Sequence, residues 1–484
     1  MNNVAEDKPM NAKRILILTI LLLTAGIIHA APKGYRIIVK LHNSTDTVLL
    51  MAHYFGDKQY LDDTAFVGKQ GTYIFEGDEP LKEGMYIVAG QNKSRYFDFF
   101  ISGPQQFELD CDPNDVTGTM KVKGSEENKV FNEYIRYLAE KQKEIEPLNR
   151  QLKSLKPGSD SAVLINKQIE ETDKEVKAYM SNLFSKYTGL LSVKFVKANN
   201  EPDITPFLKD QNGKVDSTRL YPVYKQHFFD NFTFGDPRLI YTPVFTARID
   251  RYLQSLVVPT ADSLQTAIDH LLSLASADKE TQKYLAWYLA VKYETSEIMG
   301  HDALFVYIVK KYLEPGKIEW YYPEVKDRVT KRAGTLEPLL LGKQAPDLIL
   351  LDTLNLPHSL YSVKAPYTLL FFWESTCGHC KQEMPNVLKF YEEFHKDYGL
   401  EIYGVSGDTS MVKWKEYIRS NNMPWISVNG YLSLKGNYHD IYDIHSTPVM
   451  YLLDENKKIL AKFLLSEQMG DLIKKREGAR KKDE

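Results

Sequence analysis

At 484 residues the chain exceeds what one hydrophobic core organises, so it is expected to fold as several domains. A hydrophobic fraction of 43% beside 26% charged residues belongs to a packed protein rather than a disordered or membrane-filling one. With 61 basic and 64 acidic residues the net charge is -3, which leaves no field to attract nucleic acid, and nucleic acid is excluded as a partner.

The N-terminus reads as a targeting segment. Lys13 and Arg14 precede an apolar run from Ile15 to Ile28, and the small residues Ala30 and Ala31 follow. This is the pattern of a secretory signal peptide, assigned to residues 1–30. The run is shorter than the roughly 20 residues of a membrane span, so cleavage near Ala30 is expected over retention as an uncleaved N-terminal anchor. Periplasm or cell envelope is therefore the expected location. Such compartments preserve disulfides, yet the chain has 3 cysteines, too few for a disulfide framework. Cys111 has no evident partner and reads as a partly buried cysteine at a strand end.

Residues 31–125 alternate short apolar stretches with turn residues: Tyr35 to Leu41, Thr47 to Tyr54, Gly71 to Phe75, Met85 to Ala89, Tyr96 to Ile101 and Gln106 to Cys111. An antiparallel β-sandwich or barrel is expected. Gly124 and Ser125 close that pattern, and helical spacing takes over across residues 126–335, from Val130, Phe131, Tyr134 and Leu138 onward. Pro157-Gly158 breaks the first of these helices. Further helices are expected at Ala162 to Tyr187, Pro243 to Leu256, Ser263 to Ala275, Thr281 to Glu294 and Ala303 to Tyr312.

Residues 338–484 alternate strands and helices, with strands at Leu348 to Leu351, Tyr367 to Trp373, Leu400 to Val405, Val449 to Leu453 and Ile459 to Leu464. The whole is expected to be α+β multidomain: a β-rich domain, a central all-α region and a C-terminal α/β domain. The basic cluster Lys474, Lys475, Arg476, Arg480, Lys481 and Lys482 reads as a solvated, frayed tail.

Chemistry concentrates at Cys377-Gly378-His379-Cys380, where a buried strand feeds a helix. Cysteines at i and i+3 on a helix lie within disulfide range. Cys377 at the helix start meets unpaired N–H groups and the positive end of the macrodipole, which favour its thiolate. Cys380, one turn in, would resolve a mixed disulfide. The competing reading is a zinc site, but a closed site wants four ligands, and the chain has no second CxxC and no HxxxH. No metal is expected.

A strand, a CxxC at a helix start and a later Thr447-Pro448 before another strand together resemble the thioredoxin fold. The run Cys377 to Cys380 followed by Lys381-Gln382-Glu383-Met384-Pro385 resembles the TlpA/ResA-like branch of envelope thiol-disulfide oxidoreductases. The resemblance implies a protein-disulfide reductase or isomerase that needs no cofactor. Its partners would be exported protein thiols or disulfides and an upstream membrane or envelope thiol electron donor.

The same resemblance implies that Pro448 is cis, that Thr447, Pro448 and Trp373 contact substrate, and that Glu383, on the helix face of Cys380, helps proton transfer. Where thioredoxins carry a buried aspartate six residues before the first cysteine, this chain has Phe371. Gly378 and His379 form the dipeptide of protein disulfide isomerases, whose potential is about -180 mV against about -270 mV for thioredoxin, so these two residues are assigned to tuning the potential. A peroxiredoxin would want threonine or serine three residues before its cysteine and proline seven before; Glu374 and Leu370 stand there, and peroxide chemistry is not expected. The rival class is an envelope partner-binding protein whose thioredoxin-like domain is accessory or weakly active.

Overall fold

A computed structural model describes residues 34–209 and 213–483. The signal-like segment, residues 1–30, lies outside the described residues. No helix among the described residues is long and apolar enough to cross a membrane. The chain forms two compact units that divide between Tyr252 and Leu253.

The first unit opens with eight strands: β1 (Tyr35–Leu41), β2 (Val48–Phe55), β3 (Lys58–Phe66), β4 (Thr72–Gly77), β5 (Gly84–Gly90), β6 (Arg95–Ile101), β7 (Gln106–Cys111) and β8 (Lys121–Lys123). They make two sheets, in the orders β4-β1-β7-β8 and β3-β2-β5-β6, whose inward side chains share one core. Alternation does the sorting: Ile37, Val39 and Leu41 are buried on β1 while the residues between them are not. This is a sandwich rather than a barrel. Its pairings are antiparallel except for β1 with β7, which is parallel.

Helix α1 (Glu126–Ser154) starts where expected, with the Ser125 hydroxyl accepting from Asn128 N at 3.2 Å. Asn128 also ties the helix to the sheet, accepting from Phe100 N at 2.6 Å and donating to Phe100 O at 2.8 Å. Helix α2 (Asp160–Lys186) follows the break at Pro157-Gly158.

The second unit begins with helices α3 (Ala261–Ala275), α4 (Lys279–Glu294), α5 (Asp302–Ile308) and α6 (Lys326–Leu336). A mixed sheet follows, made of β9 (Ile349–Asp352), β10 (Pro357–Ser359), β11 (Tyr367–Trp373), β12 (Leu400–Ser406), β13 (Ile426–Ser433), β14 (Val449–Asp454) and β15 (Ile459–Lys462), in the order β10-β9-β13-β12-β11-β14-β15. Its helices are α7 (Gly378–Tyr398), α8 (Met411–Ser420), α9 (Tyr438–Tyr442) and α10 (Ser466–Asp483). Gly399, at φ 65, ends α7 with its N–H on His395 O, a left-handed turn that glycine takes without strain, and β12 starts at once.

All seven residues of β11 are buried, because both faces of the strand are covered. Leu369, Phe371 and Trp373 enter one core with Cys380 and Met384, and Leu370 and Phe372 enter the other with Tyr442 and Tyr451. The expected frayed tail is instead part of α10, since Ile473 is buried, Lys474 pairs with Glu393 at 2.7 Å and Tyr367 Oη donates to Glu477.

Candidate active site

Strand β11 delivers the chain from the sheet centre into a short loop, and α7 begins immediately after Cys377. Cys377 is the N-cap of that helix: its sulfur takes the place of the usual capping oxygen and accepts from Cys380 N at 3.2 Å. It is partly exposed, whereas Cys380 is fully buried, and both are free thiols. The Thr447–Pro448 bond is cis, and the Cys377 thiol donates to Thr447 O at 3.3 Å.

The environment separates the two sulfurs. Burial alone would raise the Cys377 thiol, but hydrogen bonds from the Cys380 thiol, the Thr447 side chain and the backbone N–H groups of Cys380 and His379 outweigh it and bring the group below the ordinary thiol value. Cys380 is pushed up to about 12, first by burial and then by its neighbour Cys377. At neutral pH the partly exposed sulfur is the one disposed to be a thiolate.

Gly378 and His379 are exposed on the first turn of α7. Trp373 is not exposed at the surface. Its side chain is fully buried beneath the site, with Phe371 at 6.5 Å and Tyr417 at 5.3 Å between ring centroids, because the strand's alternation turns it into the core that holds Cys380. Glu383 is buried too, and its carboxylate is hydrogen-bonded to the start of α10 and to its own helix. One oxygen accepts from Ser466 N at 3.0 Å and Ser466 Oγ at 2.7 Å, and the other from Asn386 Nδ2 at 3.0 Å. It thus holds the first residue of α10 against α7.

The sequence reading missed Asp408. This buried carboxylate, just past β12, accepts from Ser375 N at 2.9 Å, Ser375 Oγ at 2.7 Å and Ser406 Oγ at 2.8 Å, and so fixes the loop that leads to Cys377. A lone aspartate after a glycine is an ordinary turn residue, and only its position at the end of a buried strand could have marked it.

Cys111 ends β7 with 1% of its surface exposed, more deeply buried than expected, and burial pushes its thiol up to about 12. Cys111→Ser should therefore leave disulfide-exchange rates within about twofold, since a buried, protonated thiol is a poor nucleophile. Measuring model-disulfide reduction by the variant checks this, and loss of most activity would give Cys111 a part in the cycle.

Residues 341–471 match the AhpC/TSA family. Residues 35–131 and 215–331 match two families described only as domains of unknown function, DUF4369 and DUF5106 respectively. The thiol-disulfide oxidoreductase ResA of a Bacillus cereus strain is 23% identical over 129 residues, 26% of this chain and 72% of that protein. ResA of Bacillus subtilis (strain 168) is 27% identical over 124 residues, 26% of this chain and 67% of that protein. Among solved structures, a domain of a possible thiol-disulfide isomerase from Cytophaga hutchinsonii is 37% identical, covering 30% of this chain and 98% of that one with a TM-score of 0.28.

Fold and likeness together define a thiol-disulfide oxidoreductase of the thioredoxin-like class. Within that class the chain is a TlpA/ResA-like protein with extra N-terminal domains. Its substrates are thiols or disulfides.

Proposed function

We propose that Cys377 and Cys380 form the redox centre through which this protein exchanges disulfides with exported proteins in the periplasm or cell envelope. One observation carries the reading: the partly exposed Cys377 sulfur caps α7 while its partner lies buried one turn further on. In the reducing direction, the Cys377 thiolate attacks a substrate disulfide, one substrate sulfur leaves as thiolate, and a mixed disulfide forms. Cys380, once deprotonated, attacks the Cys377 sulfur and releases the second substrate thiolate. Two electrons have then passed to the substrate, and the Cys377–Cys380 disulfide is re-reduced by an upstream membrane or envelope thiol donor. Oxidation runs the same steps in reverse, and Gly378 and His379 bias the potential. Thr447 and Pro448 border the attacking sulfur and are assigned to contact an extended substrate backbone, a small-scale strand addition.

Purified protein should reduce a model disulfide with dithiothreitol as electron source. Export itself is tested by fractionation: full-length chain left in the inner membrane after alkaline extraction would favour an uncleaved anchor over a released protein.

Glu383 is assigned the proton that Cys380 must lose. The group lies one turn beyond Cys380 on α7 and is buried. Glu383→Gln keeps an acceptor for Ser466 but cannot take a proton, and should slow exchange about tenfold to a hundredfold, at or below the range that general acid–base catalysis usually contributes. Rates and a pH profile equal to the parent's would reduce Glu383 to a clamp between α7 and Ser466.

A further inference from the structure

The helices ahead of the thioredoxin-like domain reach its cis-proline loop through one side chain. Val329, Ala333 and Leu336 face inward on α6, and Arg332 lies beside that buried stripe. Its guanidinium stands between two carboxylates from different parts of the unit. Arg332 Nε is 3.2 Å from Glu294 Oε1, on the last residue of α4, and Arg332 Nη2 is 3.2 Å from Asp443 Oδ2. A second prong, Nη1, donates to Asp443 Oδ1 at 3.5 Å. Both carboxylate side chains are only 12% exposed, so solvent screens these pairs less than it screens surface pairs.

Asp443 sits at a sensitive point of the chain. It follows α9 at φ 53, a left-handed conformation that non-glycine residues hold only where the surroundings fix it. The same carboxylate meets His445 Nε2 at 3.0 Å. Four residues after Asp443 comes Thr447, whose carbonyl receives the Cys377 thiol at 3.3 Å. Four residues reach at most about 14 Å, so Asp443 anchors the chain close to Thr447. Ile444 between them is buried and held at both backbone groups by His439, so the segment from Asp443 to Thr447 is not a slack loop at its start.

We propose that Arg332 is a positioning residue for the Thr447–Pro448 loop, so that the helices preceding the thioredoxin-like domain set how an extended polypeptide substrate is held. The proposal rests on the reading of Cys377 and Cys380 as the redox centre. Glu294, which also faces Arg328 at 3.5 Å, attracts the guanidinium from behind by charge, Arg332 holds Asp443, and Asp443 ends the turn from which the substrate-contacting backbone departs. Loss of the link frees the loop without touching either thiol.

The test uses the full chain, with dithiothreitol as electron source, a disulfide-containing extended peptide as one substrate and the small disulfide DTNB as the other. Backbone hydrogen exchange is followed over residues 443–449. Arg332→Ala should raise KM for the peptide about fivefold to tenfold, within the usual range of coupling between linked sites, and change its kcat by less than about twofold. KM for DTNB, which has no backbone to pair, should hold, while exchange quickens at 443–449 and not along α7. Arg332→Lys should fall between, since an ammonium cannot span both carboxylates as the planar fork does. If Arg332→Ala does not fold, Asp443→Asn carries the same readouts.

Unchanged peptide KM, equal losses with peptide and DTNB, or faster exchange spread over the whole unit would each overturn the proposal. If the parent protein reduces neither substrate, the redox reading fails, and the exchange data at 443–449 still decide whether Arg332 holds the loop.

Discussion

Cys377→Ser should abolish disulfide exchange, and Cys380→Ala should stop it one step later, with the substrate caught as a mixed disulfide on Cys377. The asymmetry follows from the site: the sulfur at the helix N-cap is reachable and favoured as thiolate, while the second sulfur is buried and held protonated by burial and by its neighbour. Limiting iodoacetamide added to the reduced protein should therefore label Cys377 first. The pH dependence has a definite sign. Thiolate forms as pH rises, so alkylation of Cys377 should climb with a midpoint below the ordinary thiol value near 8.5, and Cys380 should react only well above neutrality. Mass-spectrometric mapping of labelled peptides against pH checks both statements. Preferential labelling of Cys380, or full exchange activity in Cys377→Ser, would remove the assignment.

Asp302→Ala should destabilise the second unit by about 3–5 kcal/mol, the usual cost of stranding one partner of a buried ion pair. The cation at stake is Lys462 on β15, whose side chain is 1% exposed, a rare burial for lysine. Its ammonium donates to Asp302 at the start of α5 and to Leu339 O at 2.7 Å. Without the carboxylate, the charge is left against a neutral carbonyl in a site with little water. Urea unfolding of the full chain should show the loss, and Asp302→Ala combined with Lys462→Met should recover most of it, because the double variant buries no charge. A single variant as stable as the parent would mean that water replaces Asp302. The pair also bears on where the chain can be cut. A fragment beginning at residue 338 keeps Leu339 but not Asp302, and should be less stable than its sheet alone would suggest.

How much of this was readable beforehand depends on what each residue's signal rests on. The redox pair stood out because a largely apolar strand, a CxxC and a distant Thr447-Pro448 are each rare and fall in the order one fold requires. The burial of Trp373 was also readable: a run of five consecutive apolar residues, Leu369 to Trp373, marks a strand covered on both faces, and such a strand has no side that looks out. Strands β3 and β13 escaped notice for opposite reasons. The first, Lys58–Phe66, is mostly exposed and polar, with a register shift against β2, so hydrophobic alternation had little to act on. The second, Ile426–Ser433, is buried but interrupted by Asn429 and Gly430, and Asn429 is accommodated there by donating to Asp408 O at 2.9 Å. Asp408, Arg332 and Lys462 went unremarked because each owes its importance to partners far off in the chain, and a charged side chain carries no mark of whether it will be buried.

The rim of the seven-stranded sheet has a consequence for what the protein can be made to join. On one side the last strand, β10, has three residues and begins with Pro357, which offers no N–H. On the other, beyond β15, the chain at residues 342–345 lies alongside: Gly342 N donates to Ile459 O at 2.8 Å, Ile459 N to Lys343 O at 2.9 Å and Ala345 N to Lys457 O at 2.9 Å. Neither border leaves a long row of unpaired backbone groups. An exposed strand of another chain therefore finds no long open edge on this sheet to extend, which guards the sheet that carries the cysteines against edge-to-edge aggregation.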